Sequence, residues 1–223
     1  MTASFQPITD VLTAVRPRHR GRLHQVVFFL SVPAGAALVA LATTASARVG
    51  AAVYALSVTG LFGTSAAYHR LAHSVAARAM WRRLDHAMIF VLIAGTYTPM
   101  CLLALEGAWR SVALTLVWVG ALAGVALKVF RLEAAMRLGN ALYLVLGWAV
   151  LAILPQLAQR VAPLTLVLLA AGGLLYTGGA VVLTRRRPDP VPHVFGYHEV
   201  WHTLVVAAAA CHYVMILRVL RAS

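Results

Sequence analysis

The sequence predicts an all-α fold: a bundle of seven transmembrane helices with its N-terminus in the cytoplasm and its C-terminus outside. Three observations carry this reading: an apolar composition, seven apolar runs of membrane-spanning length, and positive charge gathered on one side of them. Of the 223 residues 61% are hydrophobic and 11% charged, and the mean hydropathy is +0.83. That is too apolar for a water-soluble globular domain. A helix needs roughly 20 apolar residues to cross a bilayer, so the chain has room for about seven crossings and short connections, with no soluble module beside them.

Residues 1–24 read as a basic cytoplasmic tail carrying Arg16, Arg18, Arg20 and Arg22, and residues 25–223 as the seven-helix transmembrane domain. The first apolar run extends from Gln25 to Ala45. Ala45-Ser46-Ala47 after it resembles a signal-peptide cleavage site, but some twenty residues exceed the roughly 7 to 15 of a signal's apolar region, so the run is read as a retained helix. The later spans run from Gly50 to His69, Leu84 to Leu105, Ser111 to Phe130, Met136 to Leu154, Leu164 to Thr184 and Val200 to Leu220. Pro33, Pro99 and Gly172-Gly173 fall inside spans, where bilayer helices tolerate them. Cys101 and Cys211 sit within apolar runs and imply no disulfide framework.

Orientation follows from Lys and Arg, which cytoplasmic loops retain. With the N-terminus inside, fourteen of the nineteen fall on the inner side, and only Arg48, Arg110, Arg160, Arg218 and Arg221 on the outer. The net charge of +13 therefore marks topology. The arginines lie in gaps between apolar runs and form no stripe with interleaved aromatics, so no nucleic-acid partner is expected.

This topology gathers polar residues at the inner leaflet. His198 and His202 stand four apart at the mouth of the last span, on one helical face and able to reach a common point. The second span ends inward at His69, with Ser65 one turn deeper on the same face, and the third starts from the inside near Asp85. Three neutral imidazoles with an open fourth position suit a catalytic zinc site. The expected site is Zn²⁺ held by His69, His198 and His202, with Asp85 holding a water at the fourth position and Ser65 lining the site.

Each residue also has a plainer reading. His73, one turn beyond His69, is the substitute ligand, closer to water. Asp85 at a helix start suits a cap paired with Arg82 or Arg83. His86 points about 100° away from Asp85 and reads as packing or hydrogen bonding. His198-Glu199-Val200-Trp201-His202 spells the H-E-x-x-H signature of zinc proteases, but no acidic residue follows Glu199 and the extended form with a third histidine is absent. His212 lies about 15 Å beyond His202 along a helix and reads as a satisfied polar residue. The third ligand must come from another helix.

Ser65-Ala-Ala-Tyr-His69, Asp85, Ala94-Gly-Thr-Tyr-Thr-Pro99 and Phe195-Gly-Tyr-His-Glu-Val-Trp-His202 together resemble the bacterial hemolysin III family, which belongs with the progestin and adiponectin receptors and, more distantly, the alkaline ceramidases. The resemblance spans nearly the whole chain. It implies a multi-pass protein of the bacterial cell membrane with seven helices, the N-terminus inside and an intramembrane zinc on His69, His198 and His202. Ser65 and Asp85 match the motif serine and aspartate, and Glu199 has no counterpart role.

What the resemblance implies for function is hydrolysis of a lipid amide or ester. Asp85 would serve as general base and Ser65 would stabilise the carbonyl oxygen, while a sphingolipid-like or fatty-acid-like acyl chain enters sideways between helices. The alternatives are a regulator of membrane state with a structural zinc, a proton relay through Asp85 and the histidines, and a cytolytic pore, for which no helix offers a continuous polar face. A retinal protein is excluded, because Lys128 is the single lysine and lies outside the last span.

Overall fold

In a computed structural model, which describes residues 17–130 and 136–223, the chain is all-helical and the described residues contain no named strand. Helix α1 covers Arg22–Leu41, α2 Ala45–Arg70, α3 Val75–Ala104, α4 Gly107–Phe130, α5 Met136–Trp148, α6 Leu154–Ala158, α7 Pro163–Arg185 and α8 Tyr197–Ala222. A 3₁₀ turn, Ala149–Ala152, lies between α5 and α6. Six helices, all but α5 and α6, are long and apolar enough to cross a membrane. Large side chains such as Phe29, Leu56, Leu116, Leu122 and Leu174 project outward from them, as a lipid-facing surface requires.

The turns are short and locally specified, so consecutive helices lie antiparallel. Thr44 accepts a hydrogen bond from the Ala47 N–H at 3.2 Å and Ser74 one from Ala77 at 3.1 Å, and these side-chain caps start α2 and α3. The Thr44 cap also divides the predicted first span, since α1 ends at Leu41 and Ala45 already belongs to α2. The third span differs more. Apolarity begins near Leu84, but the helix begins at Val75 because Ser74 caps it there, so Asp85 lies ten residues inside α3 and is not a helix-opening cap.

Helices approach closely where side chains are small, the usual basis of packing in lipid. Gly50 faces the backbone of Pro99, Gly95 faces Ser57, and Gly124 faces the ring of Phe90. Leu38, Ala51, Tyr54, Phe62, Phe90, Met215 and Ile216 fill the interior. Helix α8 packs on α7 and also reaches α1, α2 and α3. Tyr54 donates to the Ala209 carbonyl at 3.4 Å and Tyr213 to that of Ala34 at 3.0 Å.

Segment 136–160 carries the chain from one end of the bundle to the other. Gly139 lies against Lys128, Tyr143 donates to the His86 carbonyl at 2.8 Å, Tyr97 reaches the carbonyls of Leu146 and Gly147 at 3.0 and 3.1 Å, and Arg160 pairs with Glu106 in the α3–α4 turn. The turns at 71–74 and 186–196 therefore share one end with Pro17–Gly21, and those at 42–44, 105–106 and 159–162 share the other. Arg18, Arg20, Arg22, Arg70, Arg78, Arg82, Arg83 and Arg185 to Arg187 cluster at the first, basic end. Arg16 and Arg131 fall outside the described residues.

Candidate metal centre

At the basic end α2 delivers His69 from its last turn, and α8 delivers His198 and His202 from its first two turns. One ligand nitrogen from each of the three comes together, all within 4.8 Å of one another. His198 Nε2 is 3.2 Å from His69 Nε2, and the ring centroids of His69 and His202 are 5.2 Å apart. A tetrahedral ion with ligand bonds of about 2.0–2.1 Å sets its ligand atoms about 3.3 Å apart. The separation between His198 and His69 matches that edge.

The donor set fits an ion on a second count. His202 is 1% exposed, and its Nε2 is buried with no hydrogen-bond partner. An unpartnered polar atom in the interior is costly unless something else satisfies it. This group of three histidines could therefore hold a metal ion.

Ser65 and Asp85 lie beside the cluster. Both are buried, and the Ser65 side chain and the guanidinium of Arg82 lie close enough to Asp85 to act on its carboxylate. The remaining candidates separate from the site. His73 lies beyond the end of α2 and is exposed. His86 stays outside the three-histidine group, its Nδ1 2.8 Å from the Arg82 carbonyl and 3.9 Å from Asp85 Oδ2. His212 sits further along α8 against Tyr176 and the Leu169 carbonyl.

Glu199 of the H-E-x-x-H string is fully engaged elsewhere. Its Oε1 accepts from Arg20 Nε at 2.5 Å and its Oε2 from the Gly196 N–H at 2.8 Å. The carboxylate thus caps α8 and anchors the segment before α1. Arg18 N–H adds a bond to the His193 carbonyl at 3.2 Å, and Gly21, at φ +78°, lies so close that a Cβ there would collide with that of His69.

Sequence reasoning missed two of these contributors, Arg20 and His24. His24 is buried, its ring stacked on that of His202 at 3.7 Å and its Nδ1 2.8 Å from Ser65 Oγ. The available signal was position: a histidine at the inner edge of the first apolar run, on the side where His69 and His202 were expected. Assigning residues 1–24 to a tail concealed it.

A family model described as haemolysin-III related matches residues 12–213. The chain is 31% identical to Hemolysin-3 of Bacillus cereus over 198 residues, 87% of each protein. It is 29% identical to a Hemolysin-3 homolog of Bacillus subtilis over 197 residues, 87% of this chain and 89% of the relative. The human monocyte to macrophage differentiation factor is 28% identical over 200 residues, 86% of this chain and 80% of that protein.

Proposed function

The chain belongs to the haemolysin-III related family of multi-pass membrane proteins, and from that premise we propose that it is a zinc-dependent hydrolase of lipid amide or ester bonds. The observation that carries the proposal is the meeting of three histidine nitrogens from two helices within 4.8 Å, next to a buried serine–aspartate pair. His69, His198 and His202 would hold the ion, and three imidazole donors suit Zn²⁺. The chemistry such an ion supplies is Lewis acidity toward a carbonyl and acidification of water.

The protein's own groups account for the rest. Asp85 is the general base, taking the proton from water and returning it to the leaving amine or alkoxide. Ser65 offers its hydroxyl to the carbonyl oxygen as negative charge builds there. The lipid acyl chain lies among the apolar helices, and the surrounding interior limits water to what the reaction consumes. Glu199, held by Arg20 and Gly196, takes no part in proton transfer.

The end-to-end path of segment 136–160 supports a seventh crossing in which the 3₁₀ turn at 149–152 interrupts the helix. An odd number of crossings separates the termini, and the concentration of arginine at the His69 end supports placing that end, with the N-terminus, in the cytoplasm. The site then opens toward the inner leaflet of the plasma membrane.

Metal analysis of the purified protein beside His69→Ala and His202→Ala tests the site. One equivalent of zinc in the wild type and background amounts in both variants is the expected result, and equal zinc in all three ends the proposal. Asp85→Asn tests the chemistry: it keeps zinc and loses turnover of an N-acyl sphingoid or fatty-ester probe. Zinc that stays while turnover is absent from the wild type too would assign the metal a structural role in a non-enzymatic membrane regulator.

A further inference from the structure

His24 stands outside the three-nitrogen group and yet touches both halves of the site. It comes from α1, a helix that supplies neither a ligand nor an acid–base group. Its ring lies on the face of His202, with centroids 3.7 Å apart and planes 11° from parallel. The ring also packs T-shaped against Phe62, with centroids 4.9 Å apart. Nδ1 is 2.8 Å from Ser65 Oγ, and Ser65 in turn lies beside Asp85. The residue is 2% exposed, so water competes for none of these contacts.

The stacking determines what His24 can do. An imidazole binds a metal through a lone pair lying in the ring plane, with the ion about 2.0–2.1 Å from the nitrogen. Two nearly parallel rings stacked face to face share no in-plane point. An ion in the plane of His202 therefore lies well off the plane of His24, which as placed is not a fourth ligand. Proton counting settles the other contact. Ser65 owns a single hydroxyl proton. When that proton is directed to the Asp85 carboxylate, Ser65 Oγ becomes an acceptor and His24 must carry its proton on Nδ1.

We propose that His24 is a positioning residue of the metal centre: its ring face holds His202 in the orientation that ligation requires, and its Nδ1–H holds Ser65 Oγ beside Asp85, leaving the single hydroxyl proton to turn to the carbonyl oxygen when a substrate is bound. Partners that orient ligands in this way influence metal affinity without touching the ion. This inference rests on the metal-binding reading of His69, His198 and His202 and extends it to the first helix.

The test uses the full-length protein in detergent with Co²⁺ as the probe, because the visible d–d absorption of cobalt reports ligand number and geometry. His24→Phe retains a planar face over His202 and loses Nδ1, whereas His24→Leu fills the space with no face to stack. The Leu variant should bind Co²⁺ roughly 10- to 100-fold more weakly in competition with a chelator and show an altered d–d band. The Phe variant should return close to wild type in both. Should the Leu variant fail to elute as a single species, His24→Gln, which keeps a hydrogen-bonding end for Ser65 and has no aromatic face, replaces it with the same expected loss. Wild-type affinity and band in the variant without a face, or a Phe variant no better than it, overturns the role of His24 alone. A wild type that binds no stoichiometric Co²⁺ overturns the metal reading and this inference with it.

Discussion

Each end of the bundle holds an Arg–Glu pair and a glycine with positive φ, in opposite settings. At the basic end Arg20 and Glu199 are 17% and 4% exposed, and Gly21 presses on His69. At the other end Arg160 and Glu106 are 43% and 66% exposed, and Gly107 has nothing within 4 Å of where a Cβ would be. Water screens the second pair, and such surface pairs contribute little. The first pair fixes the segment before α1 against the start of α8, where His198 and His202 emerge. The same contrast runs along α8 itself: His202 converges with three other imidazoles, while His212 meets a backbone carbonyl and a tyrosine. Residue type alone does not make a site; the convergence of separate elements does.

The largest effect that would test this contrast is on metal content. His202→Ala should lower bound zinc from one equivalent to background by elemental analysis, while His212→Ala, on the same helix, should keep the full equivalent. Equal loss in both would erase the distinction between the ends.

Glu199→Ala comes next. It leaves the Arg20 guanidinium without its partner and the Gly196 N–H uncapped, a loss of about 3 kcal/mol, the lower part of the range for breaking a buried pair because Arg20 retains some solvent contact. Thermal unfolding in detergent would read it, and an unfolding temperature equal to wild type would show that the pair anchors nothing.

The two glycines sharpen the comparison further. Gly107→Ala should cost only the left-handed conformation, about 1 kcal/mol. Gly21→Ala adds a collision with His69 and should cost more, about 2–3 kcal/mol, with weakened metal binding that Gly107→Ala does not share.

The smallest effect belongs to the exposed pair. Arg160 holds the Glu106 carboxyl below its ordinary range, first by hydrogen bonding and then by charge. A carboxyl depressed in the folded state stabilises above its unfolded pKa of about 4.3, and that contribution disappears as pH falls through the lower folded value. Glu106→Gln should therefore lower the unfolding temperature at pH 7 only slightly, and the difference from wild type should vanish as pH falls below the folded value.

Much of the molecule was legible in the residues themselves. Apolar runs and arginine-bearing gaps located six long helices, and the i, i+4 spacing placed His198 and His202 on one face. His69 was identified because the second span had to end where the last began. Helix starts were less legible: α3 begins at Val75, capped by Ser74, and not near Asp85, because a side-chain cap, which apolarity does not register, decides where a helix in a polar border begins.

Composition and the apolar runs thus determined by themselves that this chain is a helical membrane protein, since both are properties of single segments, and the order of the spans put His69 at the same end as His198 and His202. Tertiary structure alone decided that His24 stacks on His202, that His73 and His212 stay apart, and that Glu199 serves Arg20 and the α8 cap. Those outcomes depend on how helices rotate about their axes and where the segment before α1 is tied down. Both are fixed by close contacts at small residues, Gly21 on His69 and Gly50 on Pro99 among them, between parts of the chain far apart in sequence.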